Sequence, residues 1–270
     1  MKIFLCIFNG YFISNFLEKQ KINCALIRSG ANINEINCVR KQLSAIKGGR
    51  LAAHCRPAKV YTFAISDVVG DDPSIIGSGP TIADPTTPND AKKILDKYDI
   101  TTPASISHWL KRVHPEKDNL DNKSKNYTII SSGTMMLDKV AQFSKKSNLD
   151  IINLGELEGD ACDIAWKTAT YLANIKPKIP TLLISGGEAT VKLKGDGRGG
   201  PNSEYLLSLA LNLKGNKNIF ALAVDTDGID GSEDNAGAII TPNTLKDAQK
   251  IGLDLEAMLK NNDSYSAFLK

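Results

Sequence analysis

The feature that most constrains this chain is a recurring alternation of short apolar runs with helical segments. "YTIISS" (127 to 132) precedes the helical "TMMLDKVAQFSKKS", and "DIINLG" (150 to 155) precedes a helix from about Asp160 to Asn174. "TLLIS" (181 to 185) leads through a glycine-rich stretch to the helical "PNSEYLLSLALNL", and "NIFALAV" (218 to 224) reads as a further strand. A strand that returns parallel to its predecessor needs a crossover, which a helix supplies, so the expectation is an α/β fold with a parallel sheet and helices on its faces. Between two such repeats lies "KPKIP" (176 to 180), stiffened by Pro177 and Pro180. A boundary there divides the 270 residues into a larger domain, 1–176, and a smaller one, 177–270.

Upstream, Ile33, Ile36, Val39, Leu43 and Ile46 recur every three or four residues, which predicts one amphipathic helix over 33–47, stopped by Gly48 and Gly49. "KVYTFAIS" (59 to 66) predicts a strand feeding a long acidic loop, "DVVGDDPSIIGSGPTIADPTTP". The opening "MKIFLCIFNGYFISNF" has a short apolar run, Ile3 to Phe8, with no small-residue cleavage site after it, so it reads as a strand or an irregular start.

Composition removes several classes. Hydrophobic residues at 42% and charged residues at 23% describe an ordinary globular chain, and no run reaches the roughly 20 apolar residues of a membrane span. A net charge of +3 is too small for a nucleic-acid footprint, and basic runs such as 123–125 and 144–146 read as solvated surface. The five cysteines (Cys6, Cys24, Cys38, Cys55 and Cys162) are odd in number and lack C-x-x-C spacing, which implies reduced thiols in a cytoplasm. His54, His108 and His114 also lack metal-ligand spacing, so zinc is not expected.

"GDGRGG" (195 to 200) matches G-x-G-x-x-G and admits three readings. A dinucleotide turn is supported by flanking elements and by Asp225, 25 residues past Gly200, but "TVKLK" (190 to 194) alternates polar and apolar, unlike a first Rossmann strand. A phosphate cradle would use the loop amides, the N-terminus of the helix that follows, and Arg198. The plainest reading is a glycine-rich corner with an exposed arginine. Two carboxylate clusters stand at strand ends: Asp67, Asp71 and Asp72, then Asp225, Asp227, Asp230 and Asp234. Each suggests magnesium or hydroxyl recognition, or simply turn and cap chemistry. An EF-hand fails because Asp230 stands where glycine is needed and Ala236 where glutamate is needed. Walker A, protein-kinase and G-x-S-x-G patterns are missing.

Five stretches in order, "NEINCVRKQLSAIKGGRLA" (34 to 52), "ISDVVGDDPSIIGSGPTIADPTT" (65 to 87), "LEGDA" (157 to 161), "SGGEATVKLKGDGRGGPNSE" (185 to 204) and "DTDGIDGSEDNAGAI" (225 to 239), resemble the glycerate 2-kinase family, whose C-terminal part is the MOFRL domain. The resemblance runs from about Phe16 to the end. It implies a Rossmann-like domain plus a smaller α/β MOFRL-type domain, and ATP-dependent phosphorylation of D-glycerate at its 2-hydroxyl, with magnesium, in a cleft between the two. Members are often called hydroxypyruvate reductases.

Carried onto this chain, the resemblance implies Lys47 and Arg50 for the substrate carboxylate or phosphates, the alternative for Lys47 being a last-turn lysine that complements a helix dipole. Asp67 would orient or deprotonate the attacking hydroxyl, with Asp71 and Asp72 as alternatives. Glu188 would hold magnesium or a ribose hydroxyl, or else be a hairpin-turn acid. Gly197, Gly199 and Gly200 would line the anion, Arg198 would stabilise the transferring phosphoryl group, and Asn202 would donate or cap its helix. Asp225 and Asp227 would complete the polar wall, Asp225 as a second metal ligand. A homodimer is left open.

Departures from the family pattern are "GGPNSE" where relatives read "GGRNQE", no N-terminal "GKA"-type lysine motif, and an end at "NNDSYSAFLK" before a "TGPTGTNVND"-like turn. These lead to the expectation of an incomplete chain, whose exposed strand edges make it poorly soluble unless a complementary fragment pairs with it. A remnant that binds anions or nucleotide without catalysis, and a nicotinamide-dependent reductase, stand as competing readings.

Overall fold

The computed structural model describes residues 16–111 and 126–269. The Ile3 to Phe8 run, Cys6, His114 and the basic run 123–125 lie outside them. Contacts divide the chain into two compact units, meeting between Ser132 and Gly133.

The first unit holds α1 (Phe16–Arg28), α2 (Ile33–Gln42), α3 (Arg50–His54), β1 (Thr62–Ile65), α4 (Pro88–Lys97), α5 (Ala104–Leu110) and β2 (Tyr127–Ser131). Two helix starts follow directly from sequence. Asn32 and Glu35 form a reciprocal capping box on α2, and Thr87 and Asp90 do the same on α4, with Pro88 in its first turn. The core is helical: Ile22, Leu26, Ile36, Val39, Leu43, Leu95, Ile106 and Trp109 pack together, and the Trp109 indole donates to the carbonyl of Gln42 at 2.7 Å. β1 and β2 pair in parallel from Thr62 opposite Tyr127 to Ile65 opposite Ser131.

The predicted helix over 33–47 ends early, at Gln42. Ser44 is the reason: its hydroxyl accepts the amides of Ile46 and Lys47 at 3.3 and 3.2 Å, offering the backbone a local alternative to the helix ladder. Ile46 therefore matches the helical period without being helical.

The second unit holds α6 (Gly133–Ser144), β3 (Asp150–Asp160), α7 (Ala161–Asn174), β4 (Thr181–Thr190), α8 (Pro201–Leu213), β5 (Ala221–Val224), β6 (Gly237–Ile240), α9 (Thr244–Lys250), α10 (Leu255–Lys260) and α11 (Ser264–Phe268). β3 and β4 pair in parallel across the Lys176 to Pro180 stretch, and β5 and β6 pair antiparallel. The strand before the proline-stiffened stretch and the strand after it thus sit in one compact unit. α8 is buried on two faces. Leu206, Leu209 and Ala210 pack with Ala165, Ala169 and Ile240, while Leu207 meets Ala248 and Leu255. A helix apolar around most of its circumference belongs in the interior, and α8 is the post around which this unit is built.

The α/β class is as expected, carried by parallel strand pairs with helical crossovers. "TVKLK" differs from its expected role. β4 runs straight through "SGGE" to Thr190, and residues 191–194 are irregular. Alternate residues of the short strands remain exposed, with Phe63 and Ile65 in one unit and Leu222, Val224 and Ile239 in the other.

Candidate functional site

In the first unit, a polar node forms beneath the "KGGR" loop. Gln42 donates from Nε2 to Asp84 Oδ2 at 2.8 Å and to Thr86 at 2.9 Å. Lys41 lies 3.8 Å from Asp84 Oδ1, both side chains being buried. Gly48 is glycine for a steric reason as well as for its φ of +62, since a Cβ would sit 2.9 Å from that of Asp84. The loop is then zipped onto a second loop by amides of Gly48, Gly49 and Leu51, which donate to the carbonyls of Ser78, Gly79 and Pro80.

This node corrects the part assigned to Arg50. It is 2% exposed, and its guanidinium donates to the Lys41 carbonyl at 2.7 Å, the Lys47 carbonyl at 3.1 Å and Gln42 Oε1 at 3.1 Å. Carbonyls left over where α2 ends need donors, and Arg50 supplies them. It holds the loop from inside and presents no open fork to a substrate. Lys47, by contrast, is half-buried in the loop and donates to Ser78 Oγ at 3.2 Å. Burial, with a smaller contribution from Arg40, holds its amine below the usual lysine range. It is not a last-turn lysine. Asp67 is exposed just past the end of β1. Asp72 accepts the Ser74 amide at 2.8 Å, the plainer turn role, and Asp71 adopts a left-handed φ of 55°.

In the second unit, the glycine corner departs from an anion cradle because its amides are already used by the chain itself. Asn262 Oδ1 accepts from Lys194 and Gly195 at 2.6 and 3.1 Å. Gly197 donates to the Asn261 carbonyl at 2.9 Å, and Arg198 donates to Asp263 Oδ1 at 3.2 Å. A Cβ on Gly195, Gly197, Gly199 or Gly200 would overlap Asn261, Asp263, Ser264 or Asp230 respectively. The glycines are thus required for close approach to residues 261–264 and to Asp230, and the Gly197 amide expected to line an anion is taken by the Asn261 carbonyl.

The helix end expected to face a phosphate already holds a carboxylate. Asp230, 0% exposed, accepts from the Asn202 amide and side chain at 2.9 and 3.2 Å, from the Ser203 amide at 2.8 Å, and from the Ser203 hydroxyl. An anion at the N-terminus of α8 satisfies its orphan donors and its dipole, and here the anion is internal. Asn202 does donate, though to Asp230. The sequence signal for this was present, since Asp230 belongs to the acidic stretch at 225–234, but nothing local singled it out from its neighbours.

Arg198 is exposed, pairs with Glu233, and stacks 4.6 Å over the ring of Tyr265. Its Glu233 hydrogen bond raises its pKa, keeping it a fixed cation. Tyr265 in turn donates to Asp234. Glu188 lies within β4, opposite Glu158, so it is not a hairpin-turn acid. Asp225 Oδ1 accepts from the Asp227 amide at 3.2 Å and Asp227 Oδ1 from the Ile229 amide at 2.9 Å, the turn chemistry that was the plainer alternative. Among the described residues no group of three His, Cys, Asp or Glu side chains is placed to hold a metal ion.

Sequence reasoning also missed Glu204 and Asn262. Glu204 is 4% exposed and accepts from Asn262 Nδ2 at 3.0 and 3.2 Å and from the Cys162 thiol at 3.8 Å. Burial pushes its pKa up, only partly opposed by Asn262. A carboxyl whose pKa is raised on folding binds more protons folded than unfolded, so its contribution to stability is fully present below the ordinary glutamate pKa and is lost as pH rises through the raised value. Urea unfolding of Glu204→Gln is expected to lack this decline; an unchanged pH profile would remove Glu204 as its source.

Two α/β units, one with a lysine loop hydrogen-bonded to a second loop and one with a glycine corner closed by residues 261–264, define the class. The MOFRL family model matches residues 181–270, and a model described as a domain of unknown function, DUF4147, matches residues 15–111. The D-glycerate 2-kinase of Thermotoga maritima is 39% identical over 260 residues, covering 94% of this chain and 61% of that protein. A protein of Agrobacterium vitis named as a hydroxypyruvate reductase is 45% identical, covering 93% and 67%. The crystal structure of a glycerate kinase from Thermotoga maritima superposes with a TM-score of 0.84 at 36% identity, covering 96% of this chain and 63% of that one. The chain belongs to the glycerate 2-kinase family. It spans about three fifths of the length of its Thermotoga relative. Among the described residues no helix is long and apolar enough to cross a membrane.

Proposed function

We propose that this chain is a phosphotransferase that moves the γ-phosphoryl group of ATP to the 2-hydroxyl of D-glycerate. The observation that carries the reading is its superposition on the Thermotoga maritima glycerate kinase over 96% of its length. Kinase-named relatives from distant organisms support it, including a glycerate kinase of Macaca fascicularis, 30% identical and covered over 76% of its length. In this reading Asp67 accepts the hydroxyl proton, Lys47 takes an anionic group of a substrate, and Arg198 leaves Glu233 to meet phosphoryl charge. Asp71, Glu188, Asp225 and Asp227 remain candidates for hydroxyl groups. Magnesium belongs to the proposal through ATP. A cytoplasmic location, a homodimer and the division at residues 176 and 177 belong to the same proposal.

The full chain incubated with ATP, magnesium and D-glycerate is expected to form 2-phosphoglycerate, and Asp67→Asn to lose about 100-fold or more in kcat with a smaller change in KM. Folded chain that forms no phosphoglycerate would overturn catalysis by this chain. The competing reading is nucleotide or anion binding without turnover. Binding of ATP without product would favour it. Oxidation of NADH with hydroxypyruvate would instead favour the reductase name.

A further inference from the structure

The backbone of Arg198 is tied to the start of α11 on both sides. Its amide donates to Asp263 Oδ1 at 3.2 Å, and its carbonyl accepts the Tyr265 amide at 2.8 Å. Gly199 lets the two segments come this close, since a Cβ there would lie 3.0 Å from the Tyr265 amide nitrogen. The phenol of Tyr265 donates to Asp234. The tyrosine is therefore held at one end by the backbone of Arg198 and at the other by the acidic stretch 225–234.

The guanidinium lies over this fixed ring, 4.6 Å from its centre. Tyr265 is 7% exposed, whereas the Arg198 side chain above it is 61% exposed. The ring is thus a buried surface roofed by a cation that faces solvent. Stacking uses the flat face of the guanidinium, while its N–H donors lie in the plane, at the edge. One edge nitrogen, Nη2, pairs with Glu233. The ring and the carboxylate occupy different parts of one group, so an anion can replace Glu233 at the edge without lifting the cation off the ring.

We propose that Tyr265 is a positioning residue for Arg198: the guanidinium stays stacked on the Tyr265 ring while its edge passes from Glu233 to a phosphoryl group. The identity of that arriving group rests on the proposed function. Tyr265 acts through Arg198 alone, by limiting the directions open to a long, exposed side chain and so placing its charge before the reaction needs it.

Steady-state kinetics of the full chain with ATP, magnesium and D-glycerate give one test. Tyr265→Leu is expected to lower kcat about three- to tenfold with KM changed less than about twofold, and Tyr265→Phe, which keeps the ring, to recover most of that loss. In an Arg198→Gln background, Tyr265→Leu is expected to cost nothing further in kcat, whereas a merely structural tyrosine costs the same in both backgrounds. Nuclear magnetic resonance of the full chain with labelled arginine gives a second test that needs no turnover. The Arg198 side-chain signals are expected upfield, shifted by the ring, in wild type and Tyr265→Phe and at ordinary positions in Tyr265→Leu. Added ATP should move them while leaving them upfield. Wild type and Tyr265→Phe carry this test even where Tyr265→Leu does not fold. Wild-type signals without the ring shift, ATP that abolishes the shift or leaves every Arg198 signal unmoved, a Tyr265→Leu chain with unchanged kcat, or additive losses in the double variant each overturn the inference. A wild-type chain that forms no phosphoglycerate rejects the kinase reading, and the response of the Arg198 signals to ATP then decides the inference separately.

Discussion

Replacing Asp230 by alanine should cost about 3–4 kcal/mol of stability, more than any surface substitution in this chain. Its carboxylate takes the amides of Asn202 and Ser203, the Asn202 side chain and the Ser203 hydroxyl, and it is entirely buried. Removing it leaves those donors facing a cavity, whereas an ordinary helix cap can be replaced by water at about 1 kcal/mol. The loss propagates because α8 is central to two hydrophobic clusters. Asp230→Asn keeps one acceptor oxygen and should recover roughly half of the loss. Urea denaturation of both variants is the measurement. A loss below about 1 kcal/mol for Asp230→Ala would show that water reaches the helix end and that the buried cap is not what holds it.

Gly187→Ala should disrupt the β3 and β4 pairing outright, at about 3–5 kcal/mol. Gly187 has a φ of 118°, and an added Cβ would fall on the backbone of Leu157 in the adjacent strand. Strain and collision act at one position, and neither neighbour is a flexible side chain that can move aside. Gly155 is the control. It also has a positive φ, 74°, but open space where a Cβ would stand, so Gly155→Ala should cost only the left-handed penalty of about 1–2 kcal/mol. Hydrogen exchange over residues 150–160 and 181–190 separates the outcomes. Equal protection in the two variants would mean that the strands part easily and that Gly187 is there for another reason.

Much of the local architecture was legible in sequence because its causes are local. Asp160 was placed at the start of α7 and does cap it, accepting the amides of Cys162 and Asp163. Pro201 was placed in the first turn of α8 and stands there. The loop after β1 was expected to be long, and it runs from Ser66 to the Thr87 cap of α4. Lys47 stands in a loop and Asp67 just past a strand end, whereas Arg50 and the glycines turn toward the chain itself, which their residue types did not reveal. A permanently charged guanidinium or a run of amides looks the same in sequence whether it faces a ligand or the chain's own carbonyls and carboxylates.

The sequence by itself determined the α/β class, the capped helices, the loops that carry polar residues and membership of the glycerate 2-kinase family, because periodicity, capping and motif order are written within short windows. Only the tertiary structure decided which partners the polar groups take. Asp230 reaches back 28 residues to α8, Asn262 reaches 68 residues to Lys194, and Arg50 turns inward to the end of α2. Those pairings depend on where distant segments are brought by burial of the helical cores, and a buried donor bonds to whatever acceptor the packing delivers.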